Sequence, residues 1–113
     1  MNPLPLFIVC HLCGDFLFQN HWMQRKSENS FVCAVHVMTY MLPFLLAGFL
    51  IPAPAWMLCA IAVEHFLQDR YALHLKWMRF YSHSTSDQWP TGPLCIDQSM
   101  HITFIGIICL FLK

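Results

Sequence analysis

Charged side chains are scarce in this sequence. Six lysines and arginines and six aspartates and glutamates make up 11% of the 113 residues, whereas ordinary soluble domains have about 25%. Because cations and anions balance, the chain has no basic excess of the kind that favours nucleic-acid binding, and we expect no nucleic-acid partner. Hydrophobic residues make up 58% of the chain, more than so small a soluble domain can bury. The composition predicts an integral membrane protein with a single helical domain, residues 1–113.

Two further patterns are missing. The sequence lacks the alternation of apolar and polar residues that strands show, so we expect an all-α fold. It also lacks a positively charged start, and its first apolar run is interrupted by His11, Asp15 and Gln19. We therefore expect that run to be a helix of the mature protein rather than a cleaved signal peptide.

The cysteines offer a choice between metal chemistry and packing. Cys10 and Cys13 have the CxxC spacing of zinc or redox sites, but no second CxxC follows. Since cysteine in apolar runs behaves as a small hydrophobic residue, we expect these two to pack.

Four apolar segments approach the roughly 20 residues that span a bilayer. They are Pro3–Met23, Phe31–Leu50, Pro54–Leu73 and Leu94–Leu112. Short connections favour an up-down-up-down bundle of four transmembrane helices. We expect Ser30 to cap the second helix. The longest connection, His74–Pro93, mixes aromatic residues with cations and predicts an interfacial segment with an amphipathic helix over Leu75–Tyr81.

The positive charges predict the orientation. All cations except that of the last residue belong to the ends joined by the first and third connections: Arg25, Lys26, Arg70, Lys76 and Arg79. The positive-inside rule places these connections in the cytoplasm and both termini outside, in a bacterial inner membrane crossed several times.

Histidine–carboxylate pairs occur inside three of the four segments. Each pair is spaced by four residues, and a further histidine, His36, lies in the remaining segment: the pairs are His11/Asp15, His65/Asp69 and Asp97/His101. Residues four apart share one helix face, and ionisable groups at membrane depth usually face a functional interior.

The order of these pairs predicts one shared site. The first and third helices carry theirs in the later half, whereas the second and fourth carry theirs near the start, so an antiparallel bundle brings all of them to one end. The reversed order in the fourth helix predicts a ring of histidines with a ring of carboxylates about one turn, roughly 6 Å, nearer the cytoplasm.

Mixed imidazole and carboxylate ligands suit one or two divalent ions of zinc, manganese or iron. We expect the ligands to be His11, Asp15, His36, His65, Asp69, Asp97 and His101. Glu64, beside His65, is a candidate general base or partner of a ligand, and Gln19 extends the His11/Asp15 face and could orient a ligand or substrate. The same inventory would also suit a proton relay or separate hydrogen bonds between helices.

At these residues the chain resembles a family of small uncharacterised bacterial and phage membrane proteins, known only as a domain of unknown function. The motifs that carry the resemblance are His11-Leu12-Cys13-Gly14-Asp15-Phe16-Leu17-Phe18-Gln19, His36, His65-Phe66-Leu67-Gln68-Asp69 and Asp97-Gln98-Ser99-Met100-His101. The chain is also similar in style to membrane-bound metal-dependent hydrolases. The resemblance implies a membrane protein but supplies no reaction.

These patterns together suggest a metal-dependent hydrolase that acts on a phosphoester or related bond of a lipid-like substrate at the cytoplasmic face. We expect activated water as nucleophile, and four cations as substrate-binding groups: Arg25, Arg70, Lys76 and Arg79. Membrane lipids, and possible copies of the chain itself, are the expected partners. The alternative is a non-enzymatic membrane protein, namely an ion, proton or metal conductor or a permeabilising oligomer.

Overall fold

The computed structural model describes residues 2–83 and 87–111. Within them every regular element is helical, as the all-α prediction requires. Helix α1 (Leu4–Leu12) runs directly into a π-helix (Cys13–Leu17), and a 3-10 helix (Trp22–Ser27) follows. The remaining helices are α2 (Ser30–Ala47), α3 (Ala55–Arg70), α4 (Leu73–Phe80) and α5 (Gly92–Cys109).

Four of these helices pack in a closed ring. Helix α2 contacts α1 and α3, and α5 contacts the same two helices from the other side. The short α4 packs on α3 and α5, and the 3-10 helix packs on α2 and α3. The later parts of α1 and α3 thus lie beside the early parts of α2 and α5, as the motif order predicts.

The interior of the ring divides into two parts. An apolar core is formed by residues such as Phe7, Phe44, Met57, Ile61 and Ile105, each at most 1% exposed. The other part holds the buried histidines and carboxylates. Many large apolar side chains point outward instead, among them Met38, Leu46 and Phe49.

Two helices, α2 and α5, are long and apolar enough to cross a membrane by length and composition. Helix α1 with its π-helix is apolar but shorter. The structure therefore supports part of the four-span prediction. The expected end of the fourth segment, Leu112, lies outside the described residues.

The predicted first segment, Pro3–Met23, is too long. Regular helix ends at Leu17, where a π-type hydrogen bond from the Phe18 amide to the Cys13 carbonyl (3.0 Å) widens the last turn. The chain then folds back as the 3-10 helix against α2. This return brings a charged residue, Lys26, into the interior, where its side chain is 18% exposed.

The local signals at two other helix starts are clear. Asn29, not Ser30, caps α2, because its side-chain oxygen accepts hydrogen bonds from the Phe31 and Val32 amides. The amphipathic helix expected over Leu75–Tyr81 is present as α4, which starts two residues earlier. It is separated from α3 by Ala72 in the left-handed conformation, with φ of 47°.

Candidate metal centre

Four helical segments deliver the buried polar cluster. The π-helix supplies Asp15, α2 supplies His36, α3 supplies His65 and Asp69, and α5 supplies Asp97 and His101; each of these residues is at most 8% exposed. Each of these residues lies within three turns of the same end of the ring, so their side chains meet there.

The tightest group contains two imidazoles and two carboxylates. His36 Nε2 lies 3.0 Å from His65 Nε2, 3.2 Å from Asp15 Oδ1 and 3.1 Å from Asp69 Oδ2. His65 Nε2 lies 3.4 Å from Asp15 Oδ1 and 3.0 Å from Asp69 Oδ2. The histidine and carboxylate tips therefore lie side by side. The predicted offset of about one turn between a ring of histidines and a ring of carboxylates is not present in this group.

These distances fit a metal ion. Nitrogen and oxygen ligands about 2.0–2.1 Å from a tetrahedral zinc ion lie about 3.3 Å from one another. All four donor atoms, Asp15 Oδ1, His36 Nε2, His65 Nε2 and Asp69 Oδ2, lie within 4.8 Å of each other.

The environment of the carboxylate oxygens also fits a metal ion. In the described part of the chain, Asp15 Oδ1 and Asp69 Oδ2 are buried without a hydrogen-bond donor of good geometry, although the Lys26 ammonium lies 2.9 Å from Asp69 Oδ2 and 3.8 Å from Asp15 Oδ1. Buried carboxylate oxygens normally have partners. A divalent ion among the four residues would supply a partner for Asp15 Oδ1 and add to the compensation that Lys26 gives Asp69, so the residues present fit a divalent metal.

Asp69 connects this group to a second one. While its Oδ2 faces His36 and His65, its Oδ1 lies 3.1 Å from His101 Nε2. His101 Nε2 is also 3.3 Å from Asp97 Oδ1, and Asp15, Asp97 and His101 form another set with metal-ligand spacing. Two adjacent sets of donors therefore share the carboxylate of Asp15, and Asp69 belongs to the first set and contacts His101 of the second.

His11 lies behind the donors rather than among them. Its Nε2 donates to Gln98 Oε1 at 2.6 Å, and Gln98 Nε2 donates to Asp15 Oδ2 at 2.7 Å. Its Nδ1 lies 2.8 Å from the Tyr40 hydroxyl. His11 belongs to none of the metal-spaced groups among the described residues; it reaches Asp15 through Gln98.

Glu64 faces His101 from the side opposite Asp69. Its Oε1 lies 3.2 Å from His101 Nδ1 and also accepts a hydrogen bond from Gln68 Nε2. A carboxylate on the outer nitrogen of a ligand histidine fixes the ring and its tautomer. Glu64 also has metal-ligand spacing with His65 and His101.

Lys26 is the charged residue that sequence reasoning did not assign to the site. Its Nζ lies 2.9 Å from Asp69 Oδ2 and 3.8 Å from Asp15 Oδ1, and it donates to Gln19 Oε1 at 2.8 Å. Burial alone would lower the pKa of Lys26, but the charges of Asp69 and Asp15 raise it above the ordinary value. Gln19 thus positions a charged ammonium group and touches the cluster through it.

His74, the second residue of α4, joins the cluster from the outside. It is partly buried, and its Nδ1 lies 3.5 Å from Asp97 Oδ1. Burial lowers the pKa of His74 despite the opposing effect of the Asp97 charge. His74 extends the cluster toward α4.

The four predicted substrate-binding cations lie in three different places. Arg25 is exposed and lies 3.9 Å from the exposed Glu28, so the structure does not bring it to the cluster. Arg70 donates to Ser30 Oγ and to the Ser27 carbonyl, both at 2.9 Å, and so ties α3 to the start of α2. Lys76 and Arg79 line a separate pocket on α4.

A close contact between the π-helix and α2 sets the position of Asp15. A Cβ on Gly14 would lie 2.6 Å from Tyr40 Cδ2 and 2.8 Å from the Tyr40 carbonyl oxygen. Only glycine allows this approach. The π-helix, a feature often found at functional sites, and the glycine together let the neighbouring carboxylate reach His36.

The cysteines of the CxxC motif lie away from the donors. Cys10 is in the apolar core, and its Sγ donates to the Pro43 carbonyl at 3.5 Å. Neither Cys10 nor Cys13 belongs to a metal-spaced group in the described residues.

Comparison with known proteins identifies a family whose function is unknown. No curated protein and no solved structure matches the chain. A family model described as a protein of unknown function (DUF3307) matches residues 4–113, which include every residue of the cluster. The chain therefore belongs to the DUF3307 family.

Proposed function

We propose that this protein is a membrane-embedded, metal-dependent hydrolase that acts on a phosphoester or related bond of an amphipathic substrate. The observation that carries the proposal is the group formed by Asp15, His36 and His65 with Asp69, whose facing atoms lie 3.0–3.4 Å apart. These four residues would hold a zinc, manganese or iron ion.

The exposed surface supports a membrane location. Core helices of soluble proteins can be as apolar as α2 and α5, but they are mostly buried. Here only 39% of the apolar stretch of α2 and 33% of that of α5 is buried inside the protein. We propose that α1 and α3 also lie in the bilayer, which completes a four-span bundle, and that lipids and further copies of the chain cover the apolar surface.

The cations support a cytoplasmic position for the site. Lys26 contacts Asp69, Arg70 contacts Ser27 and Ser30, and Lys76 lies 5.7 Å from the ring of Tyr71. All three are thus at the end of the ring that holds the cluster. By the positive-inside rule this end faces the cytoplasm of a bacterial cell, with α4 in the interface and both termini outside.

A bound divalent ion would supply a hydroxide near neutral pH and neutralise charge on a phosphoester. The residues around it have separate tasks. Gln98 and His11 orient Asp15, Glu64 orients His101, and Lys26 presents a positive charge that could hold a phosphoryl oxygen. Asp97 and His101 with the Asp15 carboxylate would provide donors for a second ion, as in dinuclear sites of helical bundles.

A second candidate, proton conduction without catalysis, is favoured by a different observation. Polar contacts continue from Tyr40 through His11, Gln98 and Asp15 to His36 and His65, and from Asp69 through His101 and Asp97 to His74. Such chains of histidines and carboxylates form proton relays in membrane proteins. This candidate needs no metal.

The test is hydrolysis by the purified full-length protein in mixed micelles. Release of phosphate from a short-chain phosphatidic acid and from a soluble aryl phosphate would be measured after chelation and after adding back zinc, manganese or ferrous iron. We expect metal-dependent hydrolysis of the lipid, loss of it in Asp69→Asn, and a reduced rate with metal retained in Glu64→Gln. Absence of hydrolysis with every metal, together with proton flux in vesicles that Asp69→Asn abolishes, would replace the proposal by the second candidate.

A further inference from the structure

Helix α4 presents three exposed aromatic side chains together. Trp77, Phe80 and Tyr81 are 43%, 81% and 64% exposed. The Trp77 ring stacks on Tyr81 with centroids 5.4 Å apart and lies 5.9 Å from Phe80. Exposed aromatic rings grouped on a short amphipathic helix are typical of the membrane–water interface.

Other residues of α4 line a pocket of about 440 Å³, a volume within the range of small-molecule sites. Three of its lining residues share one face of α4: Leu75, Lys76 and Arg79. The wall is completed by Tyr71, Ala72, Met78, Ser82, His83 and Pro93. The pocket therefore combines apolar surface with two permanent cations and three further polar side chains.

The positive charge of this pocket has no acidic partner among the described residues. None of the described residues that line it is acidic. Lys76 and Arg79 take part in no ion pair within the described ranges, 2–83 and 87–111. An arginine with a lysine one turn before it is a suitable site for a phosphate group, which accepts several charge-assisted hydrogen bonds.

We infer that the α4 pocket binds the phosphate headgroup of an anionic phospholipid. The phosphate lies against Lys76 and Arg79, and the acyl chains leave the pocket along the exposed rings of Trp77 and Phe80. The neighbouring aromatic residues favour a lipid over a water-soluble phosphate, because they hold this helix at headgroup depth. The inference rests on the membrane location in the proposed function but not on a metal or on hydrolysis.

The pocket also suggests how the lipid affects the cluster. His74 lies on α4, two residues before Lys76, and its Nδ1 is 3.5 Å from Asp97 Oδ1. A headgroup that holds α4 in place therefore also holds His74 against the second group of donors.

The experiment measures thermal unfolding of the full-length protein in micelles of detergent and phosphatidylcholine, titrated with phosphatidylglycerol. A ligand that binds only the folded state raises Tm with its concentration. Arg79→Gln and Lys76→Gln remove one charge each from the pocket, and Arg79→Lys keeps the charge. Arg25→Gln is the matched control, since it removes an exposed charge outside the pocket.

We expect phosphatidylglycerol to raise the Tm of the wild type. The apparent affinity should fall about tenfold in Arg79→Gln and Lys76→Gln, as expected for loss of one charge-assisted contact, should fall less in Arg79→Lys, and should not change in Arg25→Gln. Equal losses in all variants would mean general surface attraction and would overturn the inference, as would no effect of the lipid on the wild type.

Inorganic phosphate and glycerol 3-phosphate form the second arm of the experiment. If they raise Tm as phosphatidylglycerol does, with the same dependence on Arg79, the ligand is a soluble phosphate and the lipid assignment is wrong. Metal content of the same samples is measured separately. Loss of the lipid effect with metal retained rejects only this inference, whereas a lipid effect without metal rejects only the metal proposal.

Discussion

Asp69 is the residue on which both groups of donors depend. Its Oδ2 faces His36 and His65, and its Oδ1 faces His101. Lys26 also contacts it. Removing one member of such a set leaves the other buried charges without compensation, which costs about 3–5 kcal/mol in soluble proteins, whereas a single hydrogen bond between membrane helices contributes about 0.6 kcal/mol.

We therefore expect Asp69→Asn and His65→Ala to lower the free energy of unfolding by several kcal/mol each. Their effects should not add in the double variant, because both act on one group. Thermal unfolding of the single and double variants, with and without added zinc, measures this. Small additive losses that metal leaves unchanged would show separate hydrogen bonds instead of a shared site.

Removal of Lys26 should raise the affinity for metal, whereas removal of a ligand lowers it. Its ammonium group lies 2.9 Å from a donor oxygen, and the Asp69 and Asp15 charges hold its pKa above the ordinary value even though burial opposes this. A divalent ion must bind against that charge. Lys26→Met should therefore bind zinc about tenfold more tightly, while the metal-free protein becomes less stable.

The measurement is competition for zinc against a chelating dye, with Arg25→Gln as control because that neighbouring charge is exposed. Unchanged affinity in the control is expected. Weaker zinc binding in Lys26→Met would mean that the ammonium group holds the carboxylates in place rather than opposing the ion.

At the scale of the element, the contact between the π-helix and α2 determines whether Asp15 reaches the cluster. A Cβ at Gly14 meets both the ring and the backbone of Tyr40, and the backbone cannot move aside cheaply. Gly14→Ala should destabilise the protein by about 1–3 kcal/mol and lower metal occupancy, since Asp15 moves away from His36.

Gly106→Ala provides the control, because a Cβ at Gly106 meets nothing within 4 Å. In that helical position alanine should be neutral or stabilise by up to about 1 kcal/mol. Metal content and Tm of both variants distinguish the two cases. Equal behaviour of the two alanine variants would contradict the role given to the contact.

Some features of the site can be predicted from the sequence and others cannot. Spacing of four residues places His65 and Asp69 on one face, and the order of the pairs identifies the shared end of the helices. The same spacing of four residues relates His36 to Tyr40 and Glu64 to Gln68, so these two contacts could also have been predicted from the sequence. The π-helix and the return of the chain that buries Lys26 depend on packing against α2, and no local pattern encodes them.

At the scale of the whole molecule, the proposed four-span bundle has a single orientation in the membrane. Reporter fusions in a bacterial host should place Arg25–Lys26 and the His74–Pro93 connection in the cytoplasm, with both termini outside. The reason is that all cations of the described helices lie at the end that holds the cluster. A carboxyl terminus in the cytoplasm would contradict the four-span arrangement.

The most direct test of the account is the metal content of the full-length protein after mild detergent extraction without chelators. Elemental analysis by mass spectrometry should find one or two divalent ions per chain, with a clear reduction in Asp69→Asn and His65→Ala and no change in Arg25→Gln. Chelation should lower Tm, and return of the same metal should restore it. Metal well below one ion per chain, equal in all variants, with a Tm that chelation does not change, would contradict the central claim.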